Sequence, residues 1–320
     1  MKLGAGSAPR TPAWPAELFA VGEQFERLLE RADRGLNRGQ PVAPTVACPA
    51  QGGELNEYAL KLSEAELARY QFMAESAAQA EADLWTAAGV VEGAAVADIG
   101  CGPGAVSAVL ARLVGSSGSV WAVDRDPDVV EAARSTASRA GIDNATFGVG
   151  DAHASGLLPG KVDLVMIRHV LAHNGSQEQA IVDHAATLVR PGGVVYLVDI
   201  DMPAFRLRPA DDDLADLDLR YERWHAQQGN DLSSGLRLRE LLVAAGLVDV
   251  EHHGRYQIFP IRAEFRPPSW AARDALVAAG LATQSDIDRW EAAYMRLDEQ
   301  HPRPTMFVPQ FFAFGRRPAG

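Results

Sequence analysis

The stretch VADIGCGPG, residues 96–104, decides the fold, because an apolar strand ends here in a cluster of glycines. Glycines let the backbone turn sharply into the helix predicted near 105–114, and they let the backbone approach a ligand closely. Gly100, Gly102 and Ala105 also satisfy the G-x-G-x-x-A spacing of dinucleotide-binding turns. The glycines therefore predict a ligand site after a strand, but alone they leave the ligand open.

The same alternation of short apolar strands and longer helices continues on both sides of this stretch. The predicted strands are 95–99, 119–123, 145–149, 162–168 and 194–200. The predicted helices are 64–88, before the first strand, and 105–114, 126–140 and 176–189 between strands. Such alternation is typical of parallel βαβ units that are covered by helices on both faces. It predicts an α/β fold with a doubly wound, mostly parallel sheet.

The chain divides into four predicted parts because the alternation begins near residue 60 and breaks after residue 202. They are an N-terminal extension over 1–59, an α/β core over 60–202, a helical lid over 203–232, and a C-terminal part of the core over 233–320 with a helical insertion at 260–303. The extension contains one amphipathic helix, 15–34, whose apolar face must be buried on the body or on a second copy of the chain. A homodimer formed through the extension is therefore one of two arrangements.

Composition narrows the class of partner. The chain has 30 Lys and Arg against 42 Asp and Glu, a net charge of −12, which argues against nucleic acid and anionic membrane surfaces. No stretch approaches the ~20 apolar residues of a membrane span, and the N-terminus lacks the apolar run of a secretory signal. Two cysteines, Cys48 and Cys101, cannot form a disulfide framework or a four-cysteine metal site. We therefore predict a cytoplasmic protein.

Two carboxylates lie at the ends of the first two predicted strands. Asp98 is near the end of a buried strand, a costly position unless the glycine loop or a ligand donates hydrogen bonds to it. Asp124 ends the second strand about 20 residues after the glycines, where a carboxylate can accept both hydroxyls of a ribose. The alternative for Asp124 is the N-cap of the next helix.

Four motifs in order resemble the class I S-adenosylmethionine-dependent methyltransferases, in particular small-molecule enzymes related to quinone-pathway C-methylases. These motifs are DIGCGPG at 98–104, VD at 123–124, GDA at 150–152 and RPGG at 190–193. The resemblance covers residues 60–200 well and the rest loosely. It implies a Rossmann-like methyltransferase fold with an antiparallel last strand and S-adenosyl-L-methionine as cofactor. The implied reaction is methyl transfer by direct displacement to an O, N or C acceptor of a small molecule.

The resemblance also implies which residues bind the cofactor. From its methionine end to its adenine end these are Asp98, Gly100, Gly102 and Arg168, then Asp124 at the ribose, then Arg125, Asp151 and Ala152 at the adenine, with Tyr70 and Met73 reaching in from the preceding helix. Asp151 could instead end its strand in a turn, where Asp is favoured. Cys101 is interpreted as a small turn residue, since the sequence places no cation beside it to activate a thiol.

A proton acceptor is needed if the methyl acceptor is a hydroxyl or an amine. His169 and His173 follow the fourth strand, and histidine has the side-chain pKa nearest neutrality, so both are candidate catalytic residues. The alternative is that each is a loop or core histidine. Asp199 and Asp201 end the fifth strand, where they could orient an acceptor or solvate a turn.

The predicted lid carries an aromatic face at helical spacing. Tyr221, Trp224 and His225 on this face are the candidate substrate-binding residues, and plain packing is the alternative. The aspartates at 211–213, 216 and 218 could recruit a divalent ion or could form a solvated helix start. No His, Cys and carboxylate spacing predicts a metal site.

Two other functions stay open from the sequence. The glycine spacing also fits a nicotinamide-dependent oxidoreductase. A protein that binds S-adenosylmethionine and catalyses a rearrangement without methyl transfer would share the fold, because function resides in the site and not in the scaffold.

Overall fold

The structure is a computed structural model that describes residues 64–263 and 265–319. The predicted extension over 1–59, with its helix and any dimer contact of that helix, lies outside the described residues. In the described part, the strands are β1 (Ala95–Ile99), β2 (Ser119–Asp124), β3 (Ala145–Val149), β4 (Val162–Arg168), β5 (Val189–Ile200), β6 (Arg206–Arg208), β7 (Val248–Pro260) and β8 (Thr305–Arg316). The α-helices are α1 (Glu64–Ala80), α2 (Ala82–Ala88), α3 (Ala105–Val114), α4 (Pro127–Arg139), α5 (Glu178–Leu188), α6 (Asp212–Gln227), α7 (Leu238–Ala244), α8 (Pro268–Ala271), α9 (Arg273–Ala278) and α10 (Gln284–Glu299).

These strands form one mixed sheet. Their order is β3-β2-β1-β4-β5-β8, with β7 on the other side of β8 and the short β6 also paired with β8. Strands β1 to β5 run parallel, whereas β8 runs antiparallel to β5 and β7. The predicted fold class, a doubly wound and mostly parallel sheet with an antiparallel last strand, is confirmed.

The order of the strands reverses beside β1. From β1 the chain moves outward through β2 to β3, and it then returns to add β4 on the other side of β1. In open α/β sheets, ligands bind outside the carboxyl ends of the strands at such a reversal. The residues that follow β1 and β4 therefore border the candidate site.

The central strands are buried on both faces of the sheet. Val96, Ala97 and Ile99 of β1 are at most 1% exposed, which explains why this strand is a continuous apolar run instead of an alternating one. On one face, Leu188 of α5 and Leu242 of α7 belong to the same hydrophobic cluster as Ile99. This cluster fixes the position of the loops that follow β4 and β5.

Helix α6 belongs to a second, smaller core. Leu217 of α6, Leu276 of α9 and Trp290 of α10 are fully buried in it. Since α6 carries the predicted aromatic face, the packing of α6 against α9 and α10 determines where that face lies. The predicted lid therefore has a packed support of its own.

The aspartates at the start of α6 make contacts with α10. Asp211 caps α6 by accepting the N–H of Asp213 and of Leu214. Asp213 and Asp216 form ion pairs with Arg289 at 2.7 and 2.6 Å. The cation that these carboxylates bind is therefore an arginine. This arrangement favours the helix-start interpretation of the aspartates over the divalent-ion interpretation.

Local structure differs from the sequence prediction at several points. The helix predicted at 64–88 is divided at Glu81, whose carboxylate is fully buried. The helix predicted over 176–189 begins two residues later, at Glu178, since Ser176 has φ of +63° and lies outside it. The predicted lid contains β6 in addition to a helix, and β6 pairs with β8.

Candidate functional site

The glycine segment after β1 is a tight loop that lies against Val170, two residues after the end of β4. Gly100, Gly102 and Gly104 have φ of +75°, +54° and +79°, the left-handed region that favours glycine. A Cβ on Gly100 would lie 2.3 Å from Cγ2 of Val170. The N–H of Gly100 donates to the carbonyl of Val123 at 2.8 Å. The loop therefore has no space for a side chain at Gly100, and its backbone borders the crevice.

Asp124 contacts this loop from the end of the neighbouring strand. Its Oδ2 accepts the N–H of Gly102 at 2.9 Å, and its Oδ1 accepts the N–H of Asp126 at 3.2 Å. The N-cap of α4 is Asp126, so the N-cap alternative for Asp124 is wrong. A carboxylate has about four acceptor positions, and two hydrogen bonds leave positions for the two hydroxyls of a cis diol.

Asp98 is a buried carboxylate under the loop. It is 2% exposed, and its Oδ2 accepts the hydroxyl of Ser107 at 2.6 Å. Burial raises the pKa of Asp98 to about 6, although Ser107 and the positive charge of Arg168 oppose the shift. At neutral pH this carboxylate is therefore a costly buried anion, and an ammonium group bound beside it would be favourable. The donor set thus fits the amino group that the resemblance assigns to Asp98.

Arg168, at the end of β4, belongs to a buried ion-pair network. Its guanidinium donates to both carboxylate oxygens of Glu81 at 2.6 and 2.9 Å. The hydroxyl of Tyr196 and the indole N–H of Trp85 donate to the same carboxylate at 3.1 and 2.9 Å. The Arg168 side chain therefore has a structural role, since its guanidinium is held by the buried Glu81. The contact of its backbone with a cofactor stays a prediction.

Tyr70 lies beside the glycine loop. Its Cε1 is 3.6 Å from the position that a Cβ on Gly102 would take. The guanidinium of Arg69 lies 4.8 Å from the centroid of the Tyr70 ring, and its Nη1 is 3.2 Å from Sδ of Met73. The two predicted residues of α1 therefore belong to one group of side chains that borders the loop, and their contact with the cofactor stays a prediction.

The residues predicted at the adenine follow β2 and β3, which are adjacent in the sheet. Arg125 is exposed directly after β2, and Ala152 packs at the edge of the main core. Asp151 is about half exposed, and its Oδ1 lies 2.5 Å from Nδ1 of His153. The local partner supports the turn interpretation of Asp151, and its role at the adenine stays a prediction.

His169 and Asp199 face each other at the ends of β4 and β5. Asp199 is fully buried, and its two oxygens accept the N–H of Ala172 and of Ile200, each at 3.0 Å. Nδ1 of His169 lies 3.9 Å from Oδ1 of Asp199, which is longer than a hydrogen bond. Burial alone would raise the pKa of Asp199, but the His169 imidazole and the Ala172 N–H outweigh burial, and the pKa lies below its usual range.

The ionised Asp199 influences which nitrogen of the His169 ring carries the hydrogen. A carboxylate beside Nδ1 favours the tautomer with hydrogen on Nδ1, which leaves a lone pair on Nε2. Nε2 is buried and has no hydrogen-bond partner among residues 64–263 and 265–319. His169 therefore has a buried ring nitrogen that could accept a proton, and its catalytic role stays a prediction.

His173 meets the predicted aromatic face of α6. Its ring centroid lies 5.1 Å from that of His225, which in turn is 4.4 Å from Tyr221 and 4.9 Å from Trp224. Burial is the main cause that lowers the pKa of His173, and burial lowers that of His225 to about 4, so both rings are neutral at neutral pH. The structure thus brings the predicted substrate-binding residues beside a predicted catalytic histidine.

The described residues offer no other obvious reactive centre at this site. Among them, no group of three or more His, Cys, Asp or Glu could hold a metal ion. Burial, together with Asp98 and Asp124, raises the pKa of the Cys101 thiol well above its usual range, which agrees with a turn residue. None of the helices in this part of the chain is long and apolar enough to cross a membrane.

The sequence analysis missed two residues that support the site, Glu81, which binds the Arg168 side chain, and Asn230, which contacts His225. Glu81 lies on the same helical stripe as Ala77 and Trp85, so a charge on an apolar face was the signal for a buried partner. Asn230 contacts Gly175, 55 positions away, and no local pattern predicts that approach.

Comparisons with known proteins agree on one class of domain. Residues 91–244 match a family described as "Methyltransferase domain". The aklanonic acid methyltransferase of Streptomyces sp. (strain C5) is 34% identical over 116 residues, which cover 36% of this chain and 51% of that protein. The ubiquinone biosynthesis O-methyltransferase of Xanthomonas campestris pv. campestris is 36% identical over 107 residues, which cover 33% and 42%.

The matches cover only part of these proteins. The chain spans 31%, 65% and 51% of the first three curated relatives. Among solved structures, the YcgJ protein of Bacillus subtilis aligns with a TM-score of 0.49 at 17% identity, over 76% of this chain and 99% of that chain.

Proposed function

We propose that this protein, whose residues 91–244 belong to the class I S-adenosylmethionine-dependent methyltransferases, transfers a methyl group from S-adenosylmethionine to a small molecule. The observation that carries the proposal is the 2.9 Å contact between the Asp124 carboxylate and the N–H of Gly102. It brings a carboxylate with remaining acceptor positions against a glycine loop, the arrangement that binds a ribose and the chain attached to it.

The chain's own residues would hold the cofactor along this crevice. Asp98 supplies a buried negative charge for the amino group, and Asp124 supplies acceptors for the ribose hydroxyls. The remaining residues that we propose to bind it are Tyr70, Met73, Gly100, Gly102, Arg125, Asp151, Ala152 and Arg168. When bound, S-adenosylmethionine supplies the electrophilic methyl group, so the protein need only orient the acceptor and manage its proton.

His169 is the proposed general base for an oxygen or nitrogen acceptor. Its Nε2 lone pair would take the acceptor proton, while the ionised Asp199 at 3.9 Å from Nδ1 holds the tautomer and stabilises the imidazolium that forms. His173 is the second candidate, since its ring lies 5.1 Å from that of His225 on the aromatic face of α6 and burial lowers its pKa, so that it is neutral at neutral pH. Both roles rest on position, because general bases must reach the proton that they remove.

A small organic molecule is the proposed acceptor. Tyr221 and Trp224 are side chains that suit the apolar body of such a molecule. The relatives are named for aklanonic acid and for ubiquinone biosynthesis, which are small-molecule chemistries. A net charge of −12 disfavours a nucleic-acid acceptor and an anionic membrane, and we place the protein in the cytoplasm.

Calorimetry tests the cofactor assignment. The wild-type protein should bind S-adenosylmethionine and S-adenosylhomocysteine but not NADH. Asp124→Ala should weaken S-adenosylhomocysteine binding by roughly tenfold or more, because hydrogen bonds to a charged group are worth about 1.5–3 kcal/mol. Asp126→Ala is the matched control: it removes the N-cap of α4 two residues away and should lower stability by about 1 kcal/mol without changing affinity.

Product analysis tests the reaction. Protein, methyl-labelled S-adenosylmethionine and a metabolite extract should yield one labelled small molecule and an equal amount of S-adenosylhomocysteine. Binding of NADH in place of S-adenosylmethionine would establish an oxidoreductase. Conversion of a substrate with bound S-adenosylmethionine but without S-adenosylhomocysteine would establish a rearrangement.

A further inference from the structure

The side-chain amide of Asn230 determines which nitrogen of the His225 ring carries the hydrogen. Oδ1 of Asn230 accepts the N–H of Gly175 at 3.0 Å, so the opposite end of the amide is its NH₂ group. That NH₂ group lies 3.0 Å from Nδ1 of His225. A backbone N–H can only donate, and this determines which way the amide points. Nδ1 of His225 therefore accepts a hydrogen bond, and the ring hydrogen lies on Nε2.

Close packing of two loops holds this amide in place. A Cβ on Gly175 would lie 1.6 Å from the carbonyl oxygen of Gly229. Only glycine allows this approach, and the approach brings the N–H of Gly175 to Asn230, the residue after Gly229. The loop that follows the predicted catalytic histidines is thereby joined to the loop that follows α6.

The Nε2–H of His225 has no acceptor within the described residues. His225 is 5% exposed, and a buried donor without an acceptor costs about 1–3 kcal/mol. Such groups are rare in proteins, and each needs an explanation. The ring also stays neutral, since burial lowers its pKa to about 4. His225 therefore presents one uncharged donor beside His173 at the aromatic face.

We infer that His225 donates its Nε2–H to an uncharged oxygen of the acceptor molecule, and that Asn230 is the positioning residue that fixes this donor. The inference rests on the proposed function and specifies the substrate class of the same site. An ammonium group cannot accept this hydrogen bond, and a neutral ring cannot balance the charge of a buried carboxylate. The rings of Tyr221 and Trp224, which meet His225 in T-shaped contacts, favour a flat, ring-bearing molecule.

His169 and His225 then act in opposite senses. Nε2 of His169 carries a lone pair that accepts a hydrogen bond, whereas Nε2–H of His225 donates one. A molecule with one acidic hydroxyl and one further neutral oxygen would satisfy both buried atoms. The pair of histidines would therefore select the orientation of the acceptor as well as its chemistry.

The tautomer can be read by nitrogen NMR of protein labelled with ¹⁵N-histidine and saturated with S-adenosylhomocysteine. Wild-type His225 should show hydrogen on Nε2 at pH 7. Asn230→Asp keeps an acceptor for Gly175 but replaces the NH₂ group by an oxygen, so it should move the hydrogen of His225 to Nδ1. Hydrogen on Nδ1 in the wild type, or no change in the variant, would contradict the role of Asn230.

Three benzene derivatives that differ in one group test the ligand chemistry. Acetophenone is neutral, benzoate is an anion and benzylammonium is a cation, and each is titrated into the S-adenosylhomocysteine complex. Acetophenone should bind most tightly, and His225→Phe should weaken it roughly three- to tenfold, the value of one hydrogen bond. His225→Gln, whose amide can donate from a similar position, should recover part of the loss.

The outcomes separate the inference from the proposed function. His253→Phe, on β7, is the matched control and should leave all affinities unchanged. If the wild-type protein does not bind S-adenosylhomocysteine, the proposed function is wrong. If that binding is normal but acetophenone binds His225→Phe as well as it binds wild type, or an ion binds best, the donor serves only an ordered water and the inference fails.

Discussion

The two sides of the site are built in different ways. On the cofactor side, Gly102 and Asp124 are 22 positions apart and meet because they lie at the ends of adjacent parallel strands. On the acceptor side, Gly175 and Asn230 are 55 positions apart and meet because two loops pack together. A motif plus the strand order therefore specifies the first contact, whereas the second depends on the position of α6. The cofactor is thus easier to infer than the acceptor.

The largest effect is expected on the acceptor side, at His169. We expect His169→Asn to lower the rate of methyl transfer about 10²–10⁴-fold, the usual contribution of a general base. Asn is chosen because position 169 has φ of +54°, a backbone region that Asn tolerates better than other non-glycine residues. Single-turnover rates and S-adenosylhomocysteine affinity are measured together. A normal rate, or an equal loss of affinity, would remove His169 from the mechanism.

A loss of stability is expected next, at the network that supports the cofactor side. Arg168→Met leaves the fully buried Glu81 carboxylate without its cation and should lower the free energy of unfolding by about 3–5 kcal/mol. Arg255→Met breaks the exposed pair with Asp83 and should cost at most about 1 kcal/mol. Urea unfolding measures both. Equal losses would mean that burial of the Arg168 pair is unimportant.

The residues that we propose for the cofactor side can be named from the sequence because their signals are local. Gly100, Gly102 and the carboxylates at 98 and 124 follow from one motif and from strands that the apolar runs identify. The acceptor side was predicted only as separate pieces, His173 on one loop and His225 on a helix. Their 5.1 Å contact depends on long-range packing that no local pattern encodes.

The features that the sequence did not predict depend on contacts with distant segments of the chain. The break at Glu81 was not predicted, since it is stabilised by Arg168 and Tyr196, which lie 87 and 115 positions away. The short β6 was missed because three residues carry no periodicity and form a strand only beside β8. Sequence patterns predicted the helices and strands whose positions depend only on burial of apolar side chains.

A smaller effect is expected from the glycine loop. Gly100→Ala should weaken S-adenosylhomocysteine binding about ten- to thirtyfold, because its Cβ would lie 2.3 Å from Val170 and displace the loop. Gly246→Ala is the matched control, with φ of +78° against +75° at Gly100 but no atom within 4 Å of its Cβ. The control should lose about 1 kcal/mol of stability and no affinity. A similar loss of affinity in both variants would contradict the close approach.

The smallest effect is expected at Asp218, on α6 of the acceptor side, and it concerns pH. Burial raises the pKa of Asp218 to about 6, opposed by the hydrogen bond that Ser269 Oγ donates at 2.6 Å, and the charge of Glu222 adds to the shift. The folded state thus binds more protons than the unfolded state between about pH 4 and 6. Asp218 therefore lowers stability progressively as pH rises through that window.

Asp218→Asn should remove this dependence, because an amide keeps an acceptor for Ser269 but does not titrate. Asp98 and His225 also titrate near this range, with pKa values of about 6 and about 4, but they are present in both proteins and cancel in the difference. The stability of the variant minus that of wild type should rise by on the order of 1 kcal/mol from pH 4 to 7, measured by urea unfolding. A difference that stays constant with pH would mean that α6 does not hold Asp218 in a buried position. The support of the acceptor side would then be looser than that of the cofactor side.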